Sequence, residues 1–247
     1  MIREWPRARA RGHFWWQQKP IATMLGPSTF SRPPPESTAM NILPRVLLLT
    51  ALLTIGMAFL VSNLRQKQRT GRTTMRWPDP HHPGVVLTDL LFWLSVVGWV
   101  AGSSAWVVWP QSRDDLGPLL ASPSGPLQIL GAVILSCGVS VILWGFVSLG
   151  GSFRTSIDYG EQTSLVTRGV YRFSRNPMAA GLMLVGWGTA LLHLTLYALV
   201  VAAGLTLANR LRVAHEEKQL RRILGGDYLK YEHRVPRFLG FAGRKNP

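Results

Sequence analysis

The chain has 247 residues, of which 47% are hydrophobic and 16% charged, and its formal net charge is +15. Soluble domains contain about 25% charged residues, so this composition argues against a soluble protein and favours one membrane domain. The basic residues lie between apolar runs, which is typical of loops beside anionic lipid headgroups rather than of a nucleic-acid-binding protein. The single cysteine, Cys137, excludes an intrachain disulfide and a cysteine-rich zinc site, and we predict no metal site.

The N-terminal region differs in composition from the rest of the chain. Residues 1–40 are basic, proline-rich and without periodicity, so we predict a disordered extension there. Met40 directly precedes the first apolar run and is an alternative start. Each of the next three apolar runs is close to the roughly 20 residues that cross a bilayer as a helix. We therefore predict a three-helix membrane region over residues 41–150, with helices at about 43–63, 86–109 and 127–149.

A fourth apolar stretch, residues 178–209, is too long for one upright crossing and short for two full ones. Basic residues lie on both sides of it, in residues 150–177 and from residue 210 onward, so the positive-inside rule places both ends in the cytoplasm. We therefore predict a helical hairpin that turns near His193-Leu194-Thr195. The expected fold is an all-α polytopic membrane protein of about five transmembrane helices, with its catalytic region in residues 151–247. The same rule places the N-terminus outside, in conflict with the basic extension.

The tail after residue 209 combines basic residues with regularly spaced apolar ones. This pattern predicts an amphipathic cytoplasmic helix that stops at Gly225-Gly226. Tyr228 and Tyr231 are three residues apart, so they would share one face of a further short helix.

Two polar clusters flank the predicted hairpin. Arg175-Asn176-Pro177 precedes it and Glu216-Glu217 follows it, so a hairpin brings the clusters together at one membrane surface. Both have an ordinary structural interpretation: the first suits a capped helix start, and the second can pair with Arg221. Adjacent carboxylates nevertheless favour a cationic ligand, and carboxylates accept hydrogen bonds from ribose hydroxyls. Asp89 is a further candidate, because ionisable groups at membrane depth are often functional.

Patterns typical of soluble nucleotide-binding enzymes, metalloproteases and serine hydrolases do not occur in the sequence. Instead, spaced motifs follow one another across about residues 145–238. They are Gly151-Ser152-Phe153-Arg154, Leu165-Val166-Thr167, Gly169, Tyr171-Arg172, Arg175-Asn176-Pro177, Glu216-Glu217, Tyr228, Tyr231 and Arg234-Val235-Pro236-Arg237-Phe238. Together they resemble the isoprenylcysteine carboxyl methyltransferase and phospholipid methyltransferase superfamily of membrane enzymes.

The resemblance implies a membrane methyltransferase that uses S-adenosylmethionine, bound on the cytoplasmic side. The implied cofactor contacts come from both sides of the hairpin: Tyr171, Arg175, Asn176, Pro177, Glu216, Glu217, Tyr228 and Tyr231. Arg210 or Arg212 would lie at the acceptor site, so the implied catalytic residues are Arg210, Arg212 and Glu216. Two positions depart from the family pattern, since Asn176 replaces a common His and Ala179 replaces a common Tyr.

The expected acceptor is lipid-like or a small apolar molecule that enters from the bilayer. Asn176 cannot accept a proton at neutral pH, which favours an acceptor that needs no base during transfer. A carboxylate of the isoprenylcysteine type, paired with an arginine, is therefore favoured. A phospholipid amine and a small thiol remain alternatives.

Two other functions remain open. Membrane sterol reductases that use NADPH resemble the same C-terminal half, although they usually have more membrane helices. A non-catalytic membrane relative is supported by the departures at Asn176 and Ala179. No nucleic-acid partner is expected, and the sequence is silent on the oligomeric state.

Overall fold

The computed structural model describes residues 35–71, 83–110, 112–117, 125–149 and 165–238. Every regular element in these ranges is helical, which confirms the all-α fold, and the described part from Ala39 onward belongs to one compact unit. The α-helices are α1 (Pro35–Thr70), α2 (Pro83–Val108), α3 (Ser112–Asp115), α4 (Gly125–Leu149), α5 (Pro177–His193), α6 (Leu196–Leu224) and α7 (Gly226–Arg234). A 3-10 turn, Gly169–Arg172, precedes α5.

Two of the sequence predictions fall mainly outside these ranges. Residues 1–34 of the predicted extension lie outside the described residues, and α1 begins at Pro35, earlier than the predicted helix start at residue 43. The motif Gly151-Ser152-Phe153-Arg154 also lies outside the described residues.

Within the described residues, four helices are long and apolar enough to cross a membrane: Ile42–Gln68, Gly84–Val108, Gly125–Leu149 and Leu196–Leu224. Large apolar side chains project from all four without packing inside the protein, including Leu53, Leu94, Val147 and Val200. Such a surface is stable in contact with lipid and costly in contact with water. The polytopic membrane fold is thus confirmed, with α5 as a fifth, shorter apolar helix.

The predicted helical hairpin is formed by α5 and α6. The chain turns at Leu194, which adopts a left-handed conformation with φ of 47°. The side-chain oxygen of Thr195 then accepts a hydrogen bond from the amide of Ala198 at 3.2 Å and caps α6. α6 has 29 residues against 17 in α5, so it is longer by about 18 Å at 1.5 Å per residue. Its last turns therefore continue past the start of α5.

Glycines allow α4 and α5 to pack with their backbones almost in contact. A Cβ atom on Gly138 would lie 2.8 Å from the carbonyl oxygen of Gly181 and 2.8 Å from the amide nitrogen of Val185. Small residues at such crossings are typical of membrane helices, since close backbone approach increases van der Waals contact. The pair forms the centre of the bundle, where Leu135, Ile142 and Val185 are buried.

α2 is attached to the hairpin by buried polar contacts. The indole nitrogen of Trp99 donates to the hydroxyl of Thr189 on α5 at 3.1 Å. The hydroxyl of Tyr197 on α6 donates to the carbonyl oxygen of Gly98 at 2.7 Å. These contacts link the predicted three-helix region to the predicted catalytic region and fix the face that α2 presents to α6.

The close approach of α4 and α5 can be tested with Gly138→Ala. The added methyl group meets backbone atoms that cannot rotate away, so we expect a loss of about 1–3 kcal/mol, seen as a lower apparent Tm in detergent. Gly56→Ala in α1 is the matched control, because a Cβ atom there meets nothing within 4 Å. An equal apparent Tm for the two variants would contradict this close packing of α4 against α5.

Candidate functional site

The segment before α5 is held by the C-terminal residues Val235–Phe238, here termed the strap. The amide of Arg175 donates to the carbonyl oxygen of Pro236 at 2.9 Å, and the amide of Asn176 donates to that of Arg237 at 3.1 Å. The side-chain amide of Asn176 donates to the same Arg237 oxygen at 3.2 Å. Two segments about sixty residues apart are therefore paired through their backbones at the start of the hairpin.

Glu217 is the buried centre of this region, with a side chain that is 1% exposed. Its Oε1 accepts a hydrogen bond from Nδ2 of Asn176 at 3.1 Å and lies 3.5 Å from Nη2 of Arg175. Its Oε2 accepts from Nε of Arg237 at 2.9 Å and lies 3.7 Å from Nη2 of Arg221. A buried carboxylate is costly unless it is paired and hydrogen-bonded, and Glu217 has both kinds of partner.

Glu232 on α7 is a second carboxylate in the same network. It accepts from Nε of Arg221 at 2.7 Å, and its Oε1 lies 3.0 Å from Nη1 of Arg175. The hydrogen bond from Arg221 lowers the pKa of Glu232 from 4.5 to about 2, and Arg175 contributes in the same direction. We refer to Arg175, Asn176, Glu217, Arg221, Glu232 and Arg237 as the Glu217 cluster.

Three tyrosines lie beside the Glu217 cluster. The hydroxyl of Tyr231 donates to the carbonyl oxygen of Tyr171 at 2.7 Å, and the rings of Tyr228 and Tyr231 meet edge to face. Burial raises the pKa of Tyr231 to about 12 and also raises the pKa values of Tyr171 and Tyr228. The negative charge of Glu216 makes a smaller contribution to the rise in the pKa of Tyr171. All three hydroxyls therefore stay protonated at neutral pH and act as hydrogen-bonding groups rather than bases.

A second ionic cluster lies on the neighbouring face of α6. Nε of Arg212 is 3.4 Å from Oδ1 of Asp89 on α2 and 3.4 Å from Oε1 of Glu216. The guanidinium carbon of Arg212 lies 4.5 Å from the centre of the Phe92 ring, which is a cation–π geometry. We refer to Asp89, Phe92, Arg212 and Glu216 as the Asp89 cluster.

The structure brings most of the predicted site residues to the start of the hairpin. Those in or beside the two clusters are Tyr171, Arg175, Asn176, Arg212, Glu216, Glu217, Tyr228 and Tyr231. Pro177 is buried as the first residue of α5. Arg210 is exposed and is two residues from Arg212, so the two point about 200° apart around α6. Of the two arginines, only Arg212 is part of these clusters.

Sequence reasoning did not assign Phe92, Arg221, Glu232 or Arg237 to the site. Arg237 had a usable signal, because it lies in a motif that the resemblance already included. Asp89 had a weaker signal as an ionisable residue at membrane depth. Glu232 had none, since its partners Arg175 and Arg221 are recognisable only once α7 folds back against α6.

Much of this region lies in a part of the chain that is similar to a known family. Residues 127–227, from α4 to the start of α7, match the family model for phospholipid methyltransferase. This part of the chain is therefore similar to a phospholipid methyltransferase domain. This finding confirms the predicted resemblance to the membrane methyltransferase superfamily. No curated protein matches the chain. α2, which supplies Asp89 and Phe92, lies outside the matched residues of this domain.

The Glu217 cluster predicts a specific effect of Glu217→Gln. The change leaves the buried guanidinium of Arg175 and the more exposed ones of Arg221 and Arg237 without this charge, so we expect a loss of about 3–5 kcal/mol and faster hydrogen exchange in the strap. Asp227→Asn is the control, since the Asp227 side chain is 82% exposed. Unchanged hydrogen exchange at residues 235–238 in Glu217→Gln would contradict this role of Glu217 in holding the strap.

Glu232 predicts a pH dependence of stability. Its pKa is depressed in the folded protein, so its contribution is complete above pH 4.5 and is lost as the pH falls towards about 2. This pKa shift means that the folded protein stabilises the ionised form of Glu232 over the protonated form by about 3 kcal/mol. We expect wild type to exceed Glu232→Gln in unfolding free energy by about this amount at pH 6, with the difference vanishing near pH 2. A difference that does not change with pH would contradict the ion pairs.

Proposed function

We propose that this protein is a membrane methyltransferase that takes its methyl group from S-adenosylmethionine and transfers it to a lipid-like acceptor. The observation that carries the proposal is the meeting of Arg175 and Asn176 with Glu216 and Glu217 at the start of the hairpin. This meeting occurs within a methyltransferase domain. The basic tail further supports a site on the cytoplasmic side.

The residues present fit the chemistry of this cofactor. S-adenosylmethionine carries a carboxylate, an ammonium group, a sulfonium centre and ribose hydroxyls, so its site needs both cationic and anionic groups. Arg237 is paired with Glu217, but its side chain is 42% exposed, so its outer face could also bind the cofactor carboxylate. Glu216 has a 35% exposed side chain and could accept from a ribose hydroxyl or the ammonium group.

Glu217 would act on the cofactor indirectly. Its two oxygens are already occupied by Asn176, Arg175 and Arg237, and its side chain is 1% exposed. In this proposal Glu217 holds the arginines in position, whereas Glu216 makes the direct contact. Positioning by fixed neighbours of this kind is a common source of rate acceleration.

The bound cofactor supplies an activated methyl group, and the protein contributes orientation and exclusion of water. Arg175 is 8% exposed and lies against Glu217, so it contributes a fixed positive charge on the buried side of the site. Tyr171, Tyr228 and Tyr231 are buried beside the same cluster, where they would exclude water, and their hydroxyls remain protonated. A water-poor environment favours loss of the positive charge from sulfur as the methyl group leaves.

The acceptor would approach from the bilayer, because apolar side chains such as Leu90, Leu94 and Leu207 face outward from the helices that carry the Asp89 cluster. A carboxylate acceptor, which the sequence favours, would need a guanidinium partner. Arg212 is paired with Asp89 and Glu216 and its side chain is only 19% exposed, which is an argument against its binding a carboxylate acceptor.

Cofactor binding tests the proposal most directly. We expect calorimetric titration of the detergent-purified protein to show binding of S-adenosylmethionine and S-adenosylhomocysteine and none of NADPH. Glu216→Gln should weaken binding by about tenfold, the loss expected for one charge-assisted hydrogen bond. Asp227→Asn, at an exposed site, should bind as wild type does.

Two outcomes would contradict this function. Binding of NADPH alone would favour a reductase. Folded protein that binds none of the three ligands would favour a non-catalytic relative.

A further inference from the structure

Asp89 is the ionisable residue of α2, a helix otherwise built from apolar and small polar side chains. A charged group in a membrane helix is costly and persists when it is paired or functional. Its side chain is 18% exposed and lies against Arg212 of α6, which also contacts Glu216. The guanidinium of Arg212 therefore has two carboxylate partners, Glu216 on its own helix and Asp89 on α2.

The two clusters carry opposite excess charge. The Glu217 cluster contains three guanidinium groups and two carboxylates, so its excess is positive. The Asp89 cluster contains one guanidinium group and two carboxylates, so its excess is negative. Glu216 and Glu217 are adjacent on α6, so these unlike regions lie side by side. A ligand bound across them would place its anionic part at the strap and its cationic part near α2.

We propose that Asp89 is a specificity-determining residue, supplied from outside the methyltransferase domain, that makes the acceptor end of the site select an amine over a carboxylate. This inference rests on the proposed function. Asp89 acts by fixing Arg212, which prevents that guanidinium from binding an anionic acceptor, and by adding a negative charge. The Phe92 ring also supports this position of Arg212, with the guanidinium carbon 4.5 Å from the ring centre.

The transfer step balances for an amine. The ammonium form of the acceptor first loses a proton to the carboxylate of Glu216, which is half-buried and can pass the proton to water. The amine nitrogen then uses its lone pair to form a bond to the methyl carbon as the carbon–sulfur bond breaks. The electrons of that bond remain on sulfur, and S-adenosylhomocysteine leaves as a neutral thioether.

The test compares two acceptors in the same mixed micelles. One is phosphatidylethanolamine, a primary-amine lipid, and the other is an S-farnesylated cysteine with a free carboxylate. We expect wild type to give the higher kcat/KM with the amine. Asp89→Asn should lower the ratio of the two kcat/KM values by about tenfold, mainly through KM, because one charged contact is lost. Asp89→Glu keeps the charge and should retain the preference.

The control for the chemical change is Asp115→Asn, an exposed position at which the ratio should not change. Cofactor binding by each variant shows that it is folded. A purely structural role for Asp89 would lower activity on both acceptors alike and leave their ratio unchanged, which would overturn the proposal. A wild-type preference for the carboxylate would also overturn it.

The remaining outcomes separate this inference from the proposed function. If wild type binds S-adenosylmethionine but methylates neither acceptor, the acceptor class is wrong and the proposed cofactor stands. If wild type does not bind the cofactor, the proposed function fails and the inference fails with it.

Discussion

The buried carboxylate of Glu217 is the constraint on which the rest of the site depends. A carboxylate with a 1% exposed side chain must be neutralised locally, and three arginines with Asn176 do so. These partners come from the segment before α5, from α6 and from the strap. Burial of one charge therefore fixes three parts of the chain relative to one another. The same bonds set the positions of the more exposed groups, Arg237 and Glu216.

The unequal lengths of the hairpin helices make this meeting possible. α5 is too short to match α6, so the last turns of α6 continue beyond Pro177 and carry Glu217 alongside Asn176. Close packing of α4 against α5 through glycines such as Gly138 fixes where α5 begins. The position of the polar site therefore depends on the packing of the apolar bundle.

The charges at this end of the bundle are separated by sign. Positive excess lies at the strap and negative excess lies where α2 meets α6. α2 is outside the matched domain, yet its Asp89 reaches an arginine of that domain at 3.4 Å. If the acceptor binds here, as proposed, this neighbouring helix adds selectivity, because one added charge changes the electrostatic field at the acceptor.

The sequence by itself determined the helices, the hairpin with its turn at residues 193–195, and the pairing of its two polar ends. Apolar length, caps and charge asymmetry act locally, so they can be recognised without tertiary information. The tertiary structure alone decided that Glu217 is buried and Glu216 half-exposed, because adjacent helical residues point about 100° apart and only packing sets the rotation of α6. It also decided that Arg212 pairs with Asp89, since contacts between distant helices leave no local pattern in the sequence.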